Sequence, residues 1–228
     1  APIRPDDRGR DSRSETARIT MSNAKTIVVF GAYGGVGSAL ARRLAQQGTR
    51  LVLSGRNPER LQALAADLGA ETAIADVLDP SSIDTVIQNV VTRHGGLDGA
   101  VNCVGSVLLK PAHLTKPEEW AHTIGTNLTS SFSILRACAR PMMKGKGGSI
   151  VFVSTAAASI GLPNHEAIAA AKGGIEALAR SAAATYGKSG IRVNAVAPGL
   201  VETALTQRII ASESARAGSE AMHALRRI

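Results

Sequence analysis

Three glycines follow a short apolar run near the start of the folded part of the chain, in a pattern suited to binding phosphate. The apolar residues 27–30 precede Gly31, Gly35 and Gly37, and residues 38–47 are typical of a helix. Glycine permits the turn, lets a pyrophosphate approach the main chain, and lets the helix pack closely on the strand. The helix then presents its first amides and its positive dipole end to the phosphates. The pattern predicts a dinucleotide site, with an ordinary tight turn as the alternative.

Arg56 stands where the second strand should end, a position that bears on the choice of dinucleotide. Proteins that prefer NAD usually place an acidic residue there to accept a hydrogen bond from the ribose 2′-hydroxyl. Here the local sequence is Ser54-Gly55-Arg56, without a carboxylate. An arginine can pair with a 2′-phosphate through its planar fork. We therefore expect NADP(H) to be preferred, with NAD(H) as the second cofactor and with Arg42 and Arg43 as alternative phosphate ligands.

Short β-branched runs alternate with longer helical stretches along the chain, which is typical of repeated βαβ units and a parallel sheet. Asn57 followed by Pro58, and Thr115 with Glu118 three residues later, are typical helix starts. We predict an α/β fold: a Rossmann-type doubly wound parallel sheet in three αβα layers. The predicted strands are Thr26–Phe30, Arg50–Leu53, Glu71–Ala75, Gly99–Asn102, Ser149–Val153 and Arg192–Val196.

Composition limits the class of protein. The chain has 228 residues, 44% of them hydrophobic, which suits one domain with one core. Its net charge of +8 is spread along the sequence, so we expect no nucleic-acid partner. No apolar run approaches the roughly 20 residues of a membrane span, so we expect no membrane partner. Cys103 and Cys138 have no metal-like spacing, and we expect no metal site and a cytoplasmic location.

The two ends of the chain carry separate expectations. Residues 1–20 are rich in Arg, Asp and Ser, and we interpret them as a disordered leader or added segment preceding Met21. Residues 21–228 are then a single dinucleotide-binding domain.

Several ordered motifs resemble the short-chain dehydrogenase/reductase family along nearly the whole chain. The spacing Gly31-x-x-x-Gly35-Val36-Gly37 is similar to the family's cofactor loop. The resemblance implies that Asp76 with Val77 contacts the adenine and that Asn102 with Gly105 forms the segment at the end of the fourth strand. It implies that Asn127 is the structural and catalytic asparagine. It also implies that Pro198 with Gly199 forms the turn beside the nicotinamide and that Thr203 contacts a phosphate. Cys103 and Val104 depart from the family's pattern.

The same resemblance implies a catalytic set with one gap. Family members use a serine, a tyrosine four residues before a lysine, and the asparagine. Tyrosine exchanges a proton with the alcohol, lysine lowers its pKa and holds the nicotinamide ribose, and serine polarises the carbonyl. Here Thr155 keeps the hydroxyl and Lys172 keeps the lysine, but Ile168 occupies the tyrosine position. Ser154 is expected to point to the other side of its strand.

His165 and Glu166 are the nearest titratable candidates for a substitute proton donor. They precede Ile168 by three and two residues, and His165 shares its helix face if the helix has already begun. A histidine just after Pro163-Asn164 is more often a helix cap or a surface group. Tyr186 is too far along the helix, and Tyr33 lies in the glycine loop.

The resemblance also implies a family C-terminal strand that this sequence does not reach, and a homodimer or homotetramer. The dimer would form through the helices around Asn127 and residues 167–184. Specificity should come from residues 202–222, whose shape the sequence does not give. We expect an NADP(H)-preferring oxidoreductase acting on a small carbonyl or secondary alcohol with an atypical proton donor. The alternative is a catalytically weak or inactive dinucleotide-binding protein.

Overall fold

The computed structural model describes residues 24–228, and the leader predicted for residues 1–20 lies outside the described residues. Six strands form one sheet. Their bounds agree with the predicted ones within two residues at every end. The strands are β1 (Thr26–Phe30), β2 (Arg50–Gly55), β3 (Glu71–Ile74), β4 (Gly99–Asn102), β5 (Gly148–Val153) and β6 (Ile191–Val196).

Seven α-helices connect or follow these strands within the described residues. Short 3-10 turns and one π-helical turn, residues 125–129, lie between them. The α-helices are α1 (Gly35–Gln46), α2 (Pro58–Leu68), α3 (Pro80–His94), α4 (Pro117–Ile124), α5 (Ser130–Lys144), α6 (Glu166–Tyr186) and α7 (Glu213–Ala221).

All strand pairs are parallel, in the order β3-β2-β1-β4-β5-β6. The strand order reverses between β1 and β4, which are neighbours although β2 and β3 separate them in sequence. In open α/β sheets ligands bind outside the carboxyl ends of the strands at such a reversal. The predicted doubly wound parallel sheet is confirmed. Within the described residues β3 and β6 are the sheet edges.

Alternate side chains of β1 pack on opposite faces of the sheet, and this defines the three layers. Val28 and Phe30 join the core formed with α3, α5 and α6, whereas Val29 joins a smaller core formed with α1 and α2. All three side chains are fully buried. Because both faces of β1 are covered, this strand is apolar from Ile27 to Phe30, as parallel strands usually are.

One predicted helix start is confirmed and one is wrong. The Asn57 side chain accepts the amide of Arg60 at 2.8 Å and caps α2. The capping box assigned to Thr115 and Glu118 lies one residue later instead. Helix α4 begins at Pro117, Lys116 is its N-cap residue, and the Glu119 carboxylate accepts the Lys116 amide at 2.8 Å. The reason is that proline fills the first helical position, where its missing N–H costs nothing.

Candidate active site

The glycine turn between β1 and α1 brings bare backbone to the edge of a cleft. Gly31 has φ +73°, and a β-carbon there would lie 2.9 Å from the backbone of Cys103 and Val104. A β-carbon on Gly35 would lie 2.5 Å from Cγ2 of Thr203, and one on Gly37 would lie 2.3 Å from the Gly31 carbonyl oxygen. Side chains are therefore excluded at all three positions by close approach of the chain to itself.

The first turn of α1 is free of side-chain caps. Gly34 is the N-cap residue and supplies no side-chain hydrogen bond, and no acidic residue lies in the first turn. Amide donors at such a helix start attract an anion, and the positive dipole end adds to the attraction. The turn has the form that a pyrophosphate requires.

The cleft beside this turn has a volume of about 310 Å³. It lies at the reversal of strand order, and its walls combine the ends of β1, β2, β3 and β4 with the helix pair around Thr126. Eight predicted cofactor residues line it: Gly31, Gly35, Val36, Arg56, Asp76, Val77, Gly105 and Thr203. Gly37, Asn102, Lys172, Pro198 and Gly199 are predicted cofactor residues that do not line this cleft.

Arg56 lines the cleft where β2 ends. No carboxylate of the described residues forms an ion pair with it. Arg42, one of the alternatives, is paired with Asp67 on α2. An unpaired guanidinium on the rim of a cleft is available to an anionic ligand.

Tyr33 shapes the wall next to Arg56. A β-carbon on Gly55 would lie 2.6 Å from its ring, and its hydroxyl accepts the amide of Asn57 at 3.3 Å. The guanidinium of Arg60 lies 4.5 Å from the ring centroid, within the range of a cation–π contact. The tyrosine of the glycine loop is thus a wall residue held from three directions.

Asp76 and Asn102 both organise backbone at strand ends. The Asp76 carboxylate accepts the amide of Leu78 at 3.0 Å. Asn102 is buried; its side-chain oxygen accepts the amide of Val104 at 3.0 Å, and its nitrogen donates to Ser130 and Ser131. Asn102 therefore ties the end of β4 to α5, and its side chain does not line the cleft.

Asn127 lies in the π-helical turn between α4 and α5 and is fully buried. Its side-chain nitrogen lies 2.9 Å from the carbonyl oxygen of Thr123 and 3.0 Å from the hydroxyl of Ser106, and donates to both. Its side-chain oxygen would lie 3.1 Å from a β-carbon on Gly105. A π-turn widens the helix by one residue, which is often seen at functional sites.

Lys172 on α6 is 7% exposed, and its Nζ donates to the carbonyl oxygen of Val153 at 2.7 Å. Burial lowers the pKa of this lysine to about 8, and the nearby Cys103 thiol opposes that shift. Burial in turn raises the pKa of Cys103 to about 11, while Lys172 lowers it. The Lys172 Nζ would lie 3.5 Å from a β-carbon on Gly105, so lysine and Asn127 approach the same backbone point.

The two hydroxyls after β5 have different surroundings. The Ser154 side chain is buried against α6: it donates to Glu176 at 2.7 Å and lies 3.1 Å from the Lys172 carbonyl oxygen. Thr155 lies one residue later, and its hydroxyl oxygen accepts the amide of Ala157 at 3.3 Å. Ile168, on the first turn of α6, is 4% exposed.

His165 is the N-cap residue of α6, which begins at Glu166. Its Nδ1 donates to the carbonyl oxygen of Pro163 at 2.7 Å, and the preceding Asn164 has φ +63°. Nε2 has no partner among the described residues. The ring is therefore oriented by a local turn outside the helix, and its role as a proton donor stays a prediction.

The segment after β6 connects the phosphate loop to the end of the chain. The carbonyl oxygen of Pro198 accepts the amide of Ala156 at 2.8 Å. Thr203 packs on Gly35 at the phosphate loop, and its amide donates to the buried Thr206 at 3.0 Å. This places the predicted nicotinamide turn directly beside the Thr155 segment.

Several residues that line the cleft had not been predicted from the sequence. They come from loops and from the outer face of α4, where no periodicity or motif distinguishes a wall residue from a surface one. These residues are Tyr33, Gly34, Ala75, Leu78, Cys103, Val104, Ser106, His122, Thr126 and Leu205.

Among residues 24–228 no helix is both long enough and apolar enough to cross a bilayer. No group of three or more potential metal ligands occurs in this part of the chain.

Comparisons with known proteins agree with this fold. Residues 31–228 match the family model described as enoyl-(acyl carrier protein) reductase. The 3-oxoacyl-[acyl-carrier-protein] reductase of Escherichia coli is 34% identical over 85% of this chain and 80% of its own length.

Two solved structures are similar as well. One is a short-chain type dehydrogenase/reductase from Mycobacterium ulcerans, with 30% identity, a TM-score of 0.80, and coverage of 84% of this chain and 73% of that one. The other is the actinorhodin polyketide ketoreductase with NADPH, with 26% identity, a TM-score of 0.84, and coverage of 90% and 85%. The chain belongs to the short-chain dehydrogenase/reductase family of oxidoreductases.

Proposed function

We propose that this protein is an NADP(H)-preferring oxidoreductase that interconverts a small carbonyl compound and a secondary alcohol. The observation that carries the proposal is the continuity of the site. One cleft runs from Arg56 past the glycine turn to Gly105, where Asn127 and Lys172 meet. The 2′-phosphate, pyrophosphate and nicotinamide ends of one cofactor need these features in this order.

Each part of the cleft fits a part of the cofactor. Arg56 has no carboxylate partner among residues 24–228 and would pair with the 2′-phosphate. Asp76 and Val77 would contact the adenine, and the uncapped start of α1 would bind the pyrophosphate. Lys172 would bind the nicotinamide ribose, beside Asn102 and Gly105 at the end of β4. Pro198, Gly199 and Thr203 would close the nicotinamide side. The related ketoreductase was solved with NADPH, which supports the same choice.

The reaction needs a hydride and a proton. NADPH supplies the hydride when it is bound, so a ketone plus a proton gives a secondary alcohol and NADP⁺. From this chain, the Thr155 hydroxyl would donate a hydrogen bond to the carbonyl oxygen, and the Lys172 ammonium would add positive charge nearby. Asn127 donates to the Ser106 hydroxyl and so fixes the backbone beside Gly105, which lies close to the Lys172 Nζ atom. Because Ile168 cannot carry a proton, His165 or solvent must supply it.

A turnover assay tests this proposal. Purified protein with NADPH and, separately, with NADH should oxidise the cofactor in the presence of ketones, quinones or a 3-oxoacyl thioester, monitored at 340 nm. We expect measurable rates with NADPH that exceed those with NADH. Binding of neither cofactor in calorimetry would overturn the assignment of the site.

A second function is favoured by one observation. Ile168 is aliphatic and 4% exposed at the position where the family carries its proton-transferring phenol. The protein would then bind the dinucleotide as a sensory or structural element without redox chemistry. Micromolar NADPH binding combined with no turnover on the whole substrate panel would select this alternative.

Assembly as a homodimer or homotetramer belongs to the same proposal. Leu128, in the turn before α5, fits against Gly174 of α6, where a β-carbon would lie 2.7 Å away. Phe132 of α5 is 52% exposed and Trp120 of α4 is 44% exposed. Large exposed apolar side chains are suited to contact between subunits.

We further propose a single dinucleotide-binding domain over residues 21–228 and a cytoplasmic location. Cys103 and Cys138 are both free thiols, which is usual in a reducing compartment. Substrate choice would come from residues 202–222, which include α7.

A further inference from the structure

His223 joins the end of α7 to the turn that follows β6. Its Nε2 accepts the amide of Leu200 at 3.0 Å, and its Nδ1 donates to the carbonyl oxygen of Ser219 at 2.8 Å. The ring also occupies the space over Gly199, where a β-carbon would lie 2.2 Å from Nε2. One imidazole thus bonds to two segments and packs against a third residue.

The turn held by His223 is part of the proposed nicotinamide side of the site. Pro198 bonds to Ala156, next to Thr155, and Thr203 packs on Gly35 at the phosphate loop. His223 bonds to the same segment between these two points, at Leu200. Release of this bond would free the backbone that connects the Thr155 side of the site to the phosphate loop.

The hydrogen bonds require one form of the ring. Nε2 can accept the Leu200 amide only when it carries no proton, while Nδ1 must carry one to donate to Ser219.

Charged side chains on the adjoining elements are mostly engaged with one another. Arg216 of α7 lies 2.6 Å from Glu202 of the loop after β6 and 3.8 Å from Glu220. Arg226 donates to the Ala221 carbonyl oxygen. No carboxylate of the described residues forms an ion pair with His223.

We propose that His223 is a positioning residue whose neutral ring fastens the Pro198–Gly199–Leu200 turn and thereby shapes the nicotinamide side of the cleft. This role rests on the proposed function for its link to the cofactor, but the fastening itself does not.

The hydrogen bond between His223 and Leu200 is tested in the cofactor-free protein by hydrogen exchange of a peptide covering residues 199–206. We compare wild type with His223→Ala, His223→Gln and the exposed control His113→Ala at pH 8. The side-chain oxygen of the glutamine can accept the Leu200 amide in place of Nε2. At pH 8 we expect exchange about fivefold faster in His223→Ala, as for one lost hydrogen bond, and unchanged in His223→Gln and His113→Ala.

Since all substitutions lie outside the peptide, its intrinsic exchange is the same in every variant. Unchanged protection in His223→Ala, or equal loss of protection in His223→Ala and His223→Gln, would overturn the proposal.

The link to the cofactor is tested by NADPH dissociation constants for the same variants at pH 8. We expect binding about fivefold weaker in His223→Ala and rescue by His223→Gln. Equal constants in wild type and His223→Ala would overturn the positioning role even if the exchange result held. Failure of the wild type to bind either dinucleotide would instead overturn the proposed function, and the exchange result in the free protein would stand independently.

Discussion

The Nζ atom of Lys172 lies 2.7 Å from the carbonyl oxygen of Val153, so the ammonium on α6 is bonded to the end of β5. The lysine is 7% exposed, and burial lowers its pKa from 10.5 to about 8. A charged group held in this position destabilises the fold while preparing the site for an anionic or polar ligand.

Replacing this lysine by methionine should therefore stabilise the free protein at neutral pH. The lowered pKa means that the unfolded chain binds more protons between about pH 8 and 10.5, so wild-type stability rises with pH across that window. At pH 7 we expect Lys172→Met to gain about 1–3 kcal/mol, at roughly 1.4 kcal/mol per pKa unit less the carbonyl left unpaired.

Urea unfolding of the free protein at pH 7 and near pH 10 measures this gain, with the exposed Lys188→Met as control. The gain should shrink at the higher pH, where the wild-type lysine is already neutral, and NADPH binding should weaken in the variant. A destabilised Lys172→Met at pH 7 would mean that the bond to Val153 outweighs the cost of burial.

Arg56 should decide the choice between the two dinucleotides. Replacing it by alanine removes a charge-assisted pair with the 2′-phosphate, and we expect NADPH binding to weaken about 10- to 100-fold with NADH affinity unchanged. Calorimetry with both cofactors measures the effect. Arg43→Ala on α1 is the matched control. A larger loss of NADPH affinity in Arg43→Ala than in Arg56→Ala would mean that Arg43 binds the 2′-phosphate.

The sequence predicted the backbone of this site better than its walls. Gly31, Gly35 and Gly37 were found because a phosphate-binding turn requires glycine at fixed spacing, and the sheet because buried parallel strands are apolar. Asn102 was correctly placed at the end of β4. Its bonds to Ser130 and Ser131 depend on how α5 packs, which no local pattern encodes.

Several residues that line the cleft, and one helix start, were also not predicted correctly from local sequence patterns. Tyr33 was recognised only as a member of the glycine loop, although it packs on Gly55 and beneath Arg60. The start of α4 was placed one residue early because Thr115 with Glu118 satisfies the same spacing rule as Lys116 with Glu119. His223 gave no signal, because its partner Leu200 is 23 residues away in the chain.

Phe132 should be central to subunit contact. It is 52% exposed on α5, and a lysine there would place a charge inside the proposed helix interface. We expect wild type to be at least dimeric at micromolar concentration and Phe132→Lys to be shifted towards monomer, by light scattering after size exclusion. Leu225→Lys, at a 74% exposed site near the end of the chain, should leave the mass unchanged. A monomeric wild type would contradict the proposed assembly.

Ile168 should limit the chemistry and not the binding of cofactor. It precedes Lys172 by one helical turn, so a phenol at this position would lie on the same face of α6 as the lysine. A neighbouring ammonium lowers the pKa of a phenol and assists proton transfer. General acid catalysis typically contributes about 10²- to 10⁴-fold in rate, and we expect Ile168→Tyr to raise ketone reduction within that range.

The matched control is Ile168→Phe, which adds the same ring without a proton. Because Ile168 is 4% exposed, either ring should cost about 1–3 kcal/mol of stability by overpacking. Rates are therefore compared between the two variants at equal NADPH saturation, with urea unfolding to confirm that both are folded. A gain in Ile168→Tyr that is absent from Ile168→Phe assigns the effect to the hydroxyl.

His165→Ala completes the comparison, because the Nε2 atom of His165 has no partner in the described part of the chain. If His165 is the natural donor, wild-type turnover should fall on its removal and return when Ile168→Tyr is added. Strong wild-type turnover that survives His165→Ala and falls in Ile168→Tyr would contradict both roles, since the proton would then come from water or from the substrate itself.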